Sequence, residues 1–382
     1  MRNWLLPEYI EDILPRQARR MELLRSRLMV LYRSYGYQLV MPPLLEFLES
    51  LLTGTGEDLD LRTFKILDQM SGRTMGVRAD ITPQVARIDA HLLNRSGITR
   101  LCYSGSTVHA RPRGLNSTRE PLQIGAEIYG HSGIESDLEI QELLRKSLEL
   151  IGLRDARFDL GHVAIFRDIC LKGGIGGEQE RSIHTALQAK DLPRLQSETA
   201  NLDSVTRNAI LDLPLLYGDR SVLGIAAQRL PKYPAILSAL DELDKLSINW
   251  SGQIGIDLSD LRGYHYHSGV LFAAYYPGQP NAIALGGRYD EVGKSFGRAR
   301  PATGFSMDLR ELSGISDLED EQCGILAPLS EDPELAKTIE ELRIQGHIVI
   351  VNLPGHDEFV DELGCDRQLV RIGAKWQVRN LK

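Results

Sequence analysis

Two polar residues and one glycine stand at alternate positions between residues 123 and 127. Gln123, Gly125 and Glu127 are separated by Ile124 and Ala126, which is the period typical of a half-buried strand. On a strand the three residues share one face, and the glycine leaves room for a ligand between a carboxamide and a carboxylate. A carboxylate can accept a hydrogen bond from a ring N–H, so Glu127 is a candidate for binding an imidazole.

Two other stretches have the composition of a ligand site without its full pattern. His265 and His267 could form a metal pair, but no Cys or carboxylate cluster converges on them, so we expect them to line a pocket and expect no metal. The glycine-rich run 172–177 lacks the G-K-[S/T] ending of a phosphate loop and follows no clear strand. We interpret it as a flexible joint.

The elements that must position these residues are predicted from periodicity. Met21, Leu24, Leu28 and Leu31 recur at helical spacing between Pro15 and Tyr35 and indicate a first helix. Turn and alternation signals then predict a strand at 37–43, a hairpin at 62–82, helices at 83–95 and 136–151, and strands at 254–258, 270–275 and 282–285.

Two regions differ from this mixed pattern. Between about 172 and 247 the sequence is amphipathic and helical, which predicts a helical insertion inside a domain whose sheet resumes afterwards. From about 320 a strand at 324–327, a helix at 333–345 and strands at 347–353 and 368–372 predict a short α/β segment. We therefore expect two domains, 1–318 and 319–382.

Composition limits the classes of function. The 382 residues include 42% hydrophobic and 25% charged residues, and no apolar run is long enough to cross a bilayer. The first eight residues lack the apolar stretch of a secretory signal, so a cytoplasmic protein is predicted. The net charge of −8 opposes nucleic-acid binding without excluding it. The four cysteines form no C-x-x-C pair and are expected to be buried free thiols.

The segment from Tyr103 to Glu127, YSGSTVHARPRGLNSTREPLQIGAE, resembles motif 2 of histidyl-tRNA synthetases. Other landmarks of that family follow in the same order along roughly residues 8–312. They are the N-terminal signature at 12–15, motif 1 at 36–46, an amino-group-binding segment at 77–82, two histidine-specific motifs at 261–266 and 286–290, and the start of motif 3 at 304–307. The resemblance implies an α+β fold: a class II synthetase-like antiparallel sheet flanked by helices, with the helical insertion and a truncated C-terminal segment.

The same resemblance implies a histidine pocket. In it Asp80 and Thr82 would hold the ammonium group, Gln123 would orient it, and Glu127 and Tyr289 would bind the imidazole. Arg262 and Tyr266 belong to the first histidine-specific motif and complete the candidate set. The pocket departs from the family pattern at His267, where the synthetases have a second tyrosine.

The ATP side departs further. The arginine of motif 2 falls at His109, the acid that meets adenine falls at Arg111, and the arginine of motif 3 falls at Glu311. Adenylation brings a carboxylate against a phosphate, so it needs fixed guanidinium groups, and removing one such donor typically costs about 10²–10³ in rate. These replacements predict a non-catalytic relative that needs no cofactor.

Synthetase relatives with these losses resemble the regulatory subunits of ATP phosphoribosyltransferase. The resemblance implies a short-form catalytic subunit as partner, a homodimer formed through motif 1 within a hetero-oligomer, and histidine as feedback inhibitor. It also implies no tRNA binding, since the C-terminal segment is shorter than an anticodon-binding domain. Two alternatives stay open at this point: another histidine-binding synthetase paralogue, and an active histidyl-tRNA synthetase.

Overall fold

The N-terminal unit is built on one large sheet, and its first helix packs against that sheet. Helix α1 spans Pro15–Ser34 and begins with a proline, whose missing N–H is not needed in a first turn. Leu24, Leu28 and Tyr32 lie on one face of α1 and are fully buried. The ring of Tyr32 meets that of Phe305 edge to face at 6.0 Å. Each such side chain stabilises the fold by about 1.5–3 kcal/mol.

The computed structural model describes residues 4–53, 57–112, 114, 117–248, 250, 252–318, 323–355 and 361–381. The chain divides into two compact units, Met1–Leu318 and Glu319–Lys382. The remaining helices of the first unit are α2 (Leu48–Leu51), α3 (Glu57–Arg62), α4 (Thr82–Arg87), α5 (Ile134–Leu150), α6 (Val163–Lys172), α7 (Gly177–Gln188), α8 (Leu192–Glu198), α9 (Ser204–Asp212), α10 (Val222–Arg229), α11 (Pro234–Ile248) and α12 (Leu309–Ile315).

The strands of the first unit are β1 (Gln38–Leu39), β2 (Leu45–Phe47), β3 (Phe64–Leu67), β4 (Thr74–Val77), β5 (Thr99–Ser106), β6 (Leu122–Tyr129), β7 (Arg157–His162), β8 (Tyr217–Gly218), β9 (Ile254–Asp257), β10 (Val270–Tyr275), β11 (Ala284–Arg288) and β12 (Ala302–Asp308). Nine of them form one sheet in the order β1-β5-β6-β12-β11-β10-β7-β9-β8, and β2-β4-β3 form a small second sheet. Most neighbours in the large sheet are antiparallel, but β1 pairs with β5 and β7 with β9 in parallel.

The register of the large sheet decides which side chains share a surface. Glu127 of β6 pairs with Leu101 of β5 on one side and Gly304 of β12 on the other. Gly304 pairs in turn with Gly287 of β11. Since directly paired residues point to the same side of a sheet, these positions line one face, which we call the front. Phe305 and the α1 side chains that pack on it lie on the back.

The segment between β7 and β9 is helical, as expected, with two differences. Helix α6 starts at Val163, directly after β7, which is earlier than the predicted boundary at about 172. His162 caps α6 by accepting a hydrogen bond from the backbone N–H of Ala164. The two-residue strand β8 also returns from the insertion to pair with β9, although the composition indicated helices alone.

The second unit contains strands β13 (Gly324–Ala327), β14 (Val349–Val351), β15 (Cys365–Ile372) and β16 (Lys375–Asn380) and helix α13 (Pro333–Ile344). The strand order is β14-β13-β15-β16, and its core is formed by Ile325, Leu335, Ile339, Val349 and Leu369. Cys323 is exposed, so the expectation of buried thiols is wrong there, while Cys102 and Cys170 are buried.

Candidate functional site

Glu127 is the most deeply buried carboxylate on the front of the sheet. Its side chain is 1% exposed. It accepts hydrogen bonds from the hydroxyls of Tyr103 at 3.1 Å and Tyr289 at 2.5 Å. Burial raises the pKa of Glu127 to about 8, although the bonds from Tyr289 and Tyr103 act in the opposite direction. At neutral pH this carboxyl group therefore retains its proton in a substantial fraction of molecules.

A shell of tyrosines surrounds this carboxyl group. Tyr266 and Tyr289 lie with ring centroids 5.0 Å apart, and Tyr129 meets Tyr289 edge to face at 6.3 Å. The hydroxyls of Tyr129 and Tyr289 are 3.2 Å apart. Within the described part of the chain, the buried hydroxyl of Tyr266 has no hydrogen-bond partner. Aromatic rings beside a carboxyl group and an unsatisfied hydroxyl suit a ligand with a polar ring.

A second polar group lies next to this shell. Gln123 donates from its side-chain nitrogen to Asp80 at 2.8 Å and accepts from the backbone N–H of Ile81 at 2.9 Å. Asp80 also accepts from the backbone N–H of Thr82, and the hydroxyl of Thr82 lies 3.0 Å from that of Tyr103. Tyr103 thus connects the Asp80 group to Glu127. The structure brings Asp80, Thr82, Gln123, Glu127, Tyr266 and Tyr289 together, and we call this set the front pocket.

Two glycines provide the close packing that the pocket needs. A Cβ on Gly304 would lie 1.5 Å from the side-chain oxygen Oε2 of Glu127. A Cβ on Gly125 would lie 2.4 Å from the hydroxyl of Tyr103. The space beside Gly125 is therefore occupied by Tyr103, which corrects the expectation that this glycine leaves room for a ligand. Tyr103 and Tyr129 were not predicted as pocket residues, although Tyr129 follows the same two-residue alternation as Glu127.

Arg262 is separate from the front pocket in its contacts. Its guanidinium binds Asp260 through two nitrogens and donates to the hydroxyl of Tyr275 at 3.1 Å. These are its polar partners among the described residues, so the structure does not bring Arg262 to the other candidates. His267 is partly buried: its Nδ1 lies 3.2 Å from the carbonyl oxygen of Arg288, and desolvation lowers the pKa of its imidazole to about 4. No group of three or more potential metal ligands exists among the described residues.

Two of the three positions at which the resemblance to the synthetases fails, His109 and Glu311, lie near the start of β6. His109 is buried, and its Nε2 lies 2.9 Å from the carbonyl oxygen of Ala79. Arg111 is exposed. Glu311, in the first turn of α12, lines a cleft of about 40 Å³ together with Gln123 and Asp308. Two carboxylates in so small a cleft make it unfavourable for a triphosphate.

Comparison with known proteins identifies the class and then the family. The histidyl-tRNA synthetase family model matches residues 9–312, and the model described as the ATP phosphoribosyltransferase subunit HisZ C-terminal domain matches 322–379. A solved structure from Bacillus halodurans, described as an ATP phosphoribosyltransferase regulatory subunit/histidyl-tRNA synthetase, superposes with a TM-score of 0.83 at 25% identity over 95% of this chain and 96% of that one. These matches confirm the predicted class II synthetase-like fold.

The ATP phosphoribosyltransferase regulatory subunits of Ralstonia nicotianae and Cupriavidus taiwanensis are 57% and 58% identical to the chain. The alignments cover 100% and 98% of this chain and 99% and 98% of those proteins. The chain belongs to the family of ATP phosphoribosyltransferase regulatory subunits. It is a non-catalytic subunit with a role in histidine biosynthesis, and catalysis belongs to its partner. No helix in the described ranges is both long and apolar enough to cross a membrane.

Proposed function

We propose that the chain senses histidine in the front pocket and transmits feedback inhibition to a short-form ATP phosphoribosyltransferase catalytic subunit in the cytoplasm. The observation that carries the proposal is the pairing of two unlike polar ends within one pocket. Asp80, Thr82 and Gln123 offer acceptors for an ammonium group, and Glu127 with its tyrosines offers a partner for an imidazole N–H. Free histidine carries both groups.

The ATP side supports a sensor rather than a synthetase. The two arginines that adenylation needs are replaced by His109, which is buried against backbone, and by Glu311, which adds negative charge to the cleft. The region concerned corresponds to the active site of the synthetases. Under this proposal histidine binds in the amino-acid half of that region, and nucleotide is excluded from the ATP half. The loss of ATP binding and of tRNA binding belongs to the same proposal.

The quaternary structure is part of the proposal as well. We expect two copies to associate through the region Tyr37–Glu46 and to assemble with the catalytic subunit in one complex, because synthetases of this class use motif 1 as a two-fold interface. Sedimentation at micromolar concentration, with and without the partner, tests this expectation. A monomer under both conditions would contradict it.

Calorimetry on the purified complex tests the histidine proposal. Titration with L-histidine should show saturable binding, and Glu127→Ala should weaken it by about 10–150-fold, the equivalent of one charge-assisted hydrogen bond of ~1.5–3 kcal/mol. Inhibition of phosphoribosyl transfer should weaken in parallel. If Glu127→Ala and Asp80→Ala both bind and inhibit like wild type, the regulatory histidine lies elsewhere in the complex.

A further inference from the structure

The loop 258–269 connects β9 to β10 and carries Tyr266 of the front pocket, so we call it the pocket loop. Its chain turns sharply at Gly263, which has a φ of +60°. The carbonyl oxygen of Gly263 accepts hydrogen bonds at 2.8 Å from the backbone N–H groups of Tyr266 and His267. Tyr266 belongs to the pocket, whereas Tyr264, two residues earlier, packs against the helical insertion. The pocket loop therefore joins the two regions.

Tyr264 anchors the pocket loop in the insertion. It is 4% exposed, and its ring centroid lies 5.3 Å from those of Phe166 on α6 and His184 on α7. Its hydroxyl donates to Glu180 on α7 at 2.7 Å. Nε2 of His184 also lies 3.3 Å from the carbonyl oxygen of Leu261. Two helices of the insertion therefore hold both a side chain and the backbone of the pocket loop.

A single guanidinium group fixes the backbone on both sides of Tyr266. Nη2 of Arg167, on α6, donates to the carbonyl oxygen of Tyr264 at 3.0 Å and to that of His267 at 2.9 Å. The guanidinium also lies 5.1 Å from the centroid of the Tyr264 ring, which is within range of a cation–π contact. Hydrogen bonds from a charged donor are roughly twice as strong as neutral ones, so these bonds oppose rotation of the peptide groups that direct Tyr266.

This arrangement makes the position of Tyr266 depend on helix α6. The backbone N–H of Val163, the first residue of α6, donates to the carbonyl oxygen of Gly269 at 3.1 Å. The pocket loop is thus bonded to α6 at its end and, through Arg167, near its middle. Close-packed groups joined by several directional bonds move together, so a shift of the insertion would move the ring of Tyr266 relative to Tyr289.

We propose that Arg167 is a positioning residue for the front pocket: it holds Tyr266 in place for the ligand and makes histidine affinity depend on the position of the helical insertion. The inference rests on the proposed histidine pocket and adds to it a regulatory contact outside the pocket. Coupling between two sites is reciprocal, so bound histidine must in turn stabilise the contact between the insertion and the pocket loop, commonly by about 5–150-fold.

Calorimetry on complexes that contain the full-length chain tests the positioning role with a double-mutant cycle. Arg167→Met keeps the apolar part of the side chain, removes both hydrogen bonds and should weaken histidine binding at least about fivefold. In a Tyr266→Leu background, which has no ring to position, the same change should weaken binding less than about twofold. Arg207→Met removes another half-buried arginine from the insertion, on α9, and should bind histidine like wild type.

Hydrogen exchange in the same complexes measures the reciprocal effect. Saturating histidine should slow exchange of the backbone amides of α7 at least about fivefold in wild type, and less than about twofold in Arg167→Met. Tyr264→Phe removes only the hydrogen bond to Glu180. It should reduce both histidine affinity and the protection of α7, so it repeats the test with a smaller change to the loop.

Three results would overturn the inference. Arg167→Met could bind histidine as tightly as wild type. It could weaken binding equally with and without the ring of Tyr266, which would show that Arg167 only stabilises the fold. Exchange in α7 of the wild-type complex could be the same with and without histidine. A wild-type complex that binds no histidine overturns the front pocket itself and not the role of Arg167 alone.

Discussion

The carboxyl group of Glu127 and the hydroxyl of Tyr289 are joined by a hydrogen bond of 2.5 Å, although the two residues are 162 positions apart. Glu127 lies on β6, and Tyr289 directly follows β11. The pair therefore forms only when the strands before and after the helical insertion join one sheet. Because both side chains are buried, the bond also fixes the carboxyl group in a medium that favours its protonated form.

Histidine binding is expected to be strongest between about pH 6.5 and pH 8. The complex holds one proton between the Glu127 carboxyl and the ligand imidazole. The free imidazole has a pKa of about 6.5, and the pKa of Glu127 is raised to about 8. Below this window the unbound carboxyl and the unbound imidazole each carry a titratable proton, so binding must release one. Above the window neither group carries it, so binding must take one up. Affinity should therefore fall by up to about tenfold per pH unit on each side.

The tyrosines that face Glu127 do not titrate in this window. Burial, reinforced by the charge on Glu127, holds the pKa values of Tyr103, Tyr129, Tyr266 and Tyr289 well above their usual range, so these hydroxyls stay protonated. Calorimetry in buffers of different ionisation enthalpy would give the proton count directly. The Glu127→Gln variant has no carboxyl to titrate, so the alkaline decline of its affinity should be smaller than in wild type, and the remainder should come from deprotonation of the ligand's ammonium group. An alkaline decline of equal size in that variant would show that another group is responsible.

The stability of the free protein should also depend on Glu127. Folding raises the pKa of this acid from about 4.5 to about 8. Below pH 4.5 the group is protonated in both the folded and the unfolded state, so its full contribution to the stability of the fold is present. The stability that this group contributes is lost as the pH rises from there through 8, a loss of about 5 kcal/mol. Glu127→Gln removes this group's share of the loss.

Denaturant unfolding at pH 5 and pH 9 measures the effect. The decrease in unfolding free energy between the two values should be smaller in Glu127→Gln than in wild type by a few kcal/mol. Glu178→Gln provides the matched control at an exposed position in α7 and should decrease like wild type. Identical pH dependence in all three proteins would argue that Glu127 ionises as readily in the folded state as in the unfolded one.

Local patterns in the sequence predict which residues of this site share one face of a strand. They do not predict the contacts that other strands make with those residues. Alternation placed Gln123 and Glu127 on one face, and the hairpin at 62–82 is present as β3 and β4. The same alternation cannot tell what fills the space above Gly125, because Tyr103 reaches it from a neighbouring strand. Arg262 shows the same limit: its motif position suggested a ligand contact, but Asp260, two residues before it, competes for the guanidinium.

Loss of the charge on Asp80 should weaken the binding of histidine, but it should not change the binding of ligands that lack an amino group. Asp80→Asn keeps the size of the side chain but removes the carboxylate that would hold the ammonium group. We expect a decrease in histidine affinity of about 10–150-fold, and no more than a twofold change for imidazolepropionate. Equal losses for both ligands would mean that Asp80 maintains the shape of the pocket through Gln123 and Thr82 instead of binding the ligand.

The last prediction concerns the acidic cleft beside the pocket. Wild-type protein with ATP, histidine and tRNA should give neither charging nor ATP–pyrophosphate exchange above background, because the resemblance to the synthetases puts Glu311 and His109 at the positions of the guanidinium groups that adenylation needs. Glu311→Arg should raise affinity for MgATP at least about tenfold, equivalent to ~1.4 kcal/mol, since it replaces repulsion of the triphosphate by attraction. Exchange should remain absent, because His109 is still buried against Ala79. Glu311→Gln, which only removes the charge, should give an intermediate affinity.

Two outcomes would contradict these expectations. Exchange by the wild-type protein near one turnover per second would contradict the assignment of a sensor. Unchanged MgATP affinity in both variants would show that Glu311 does not close the cleft.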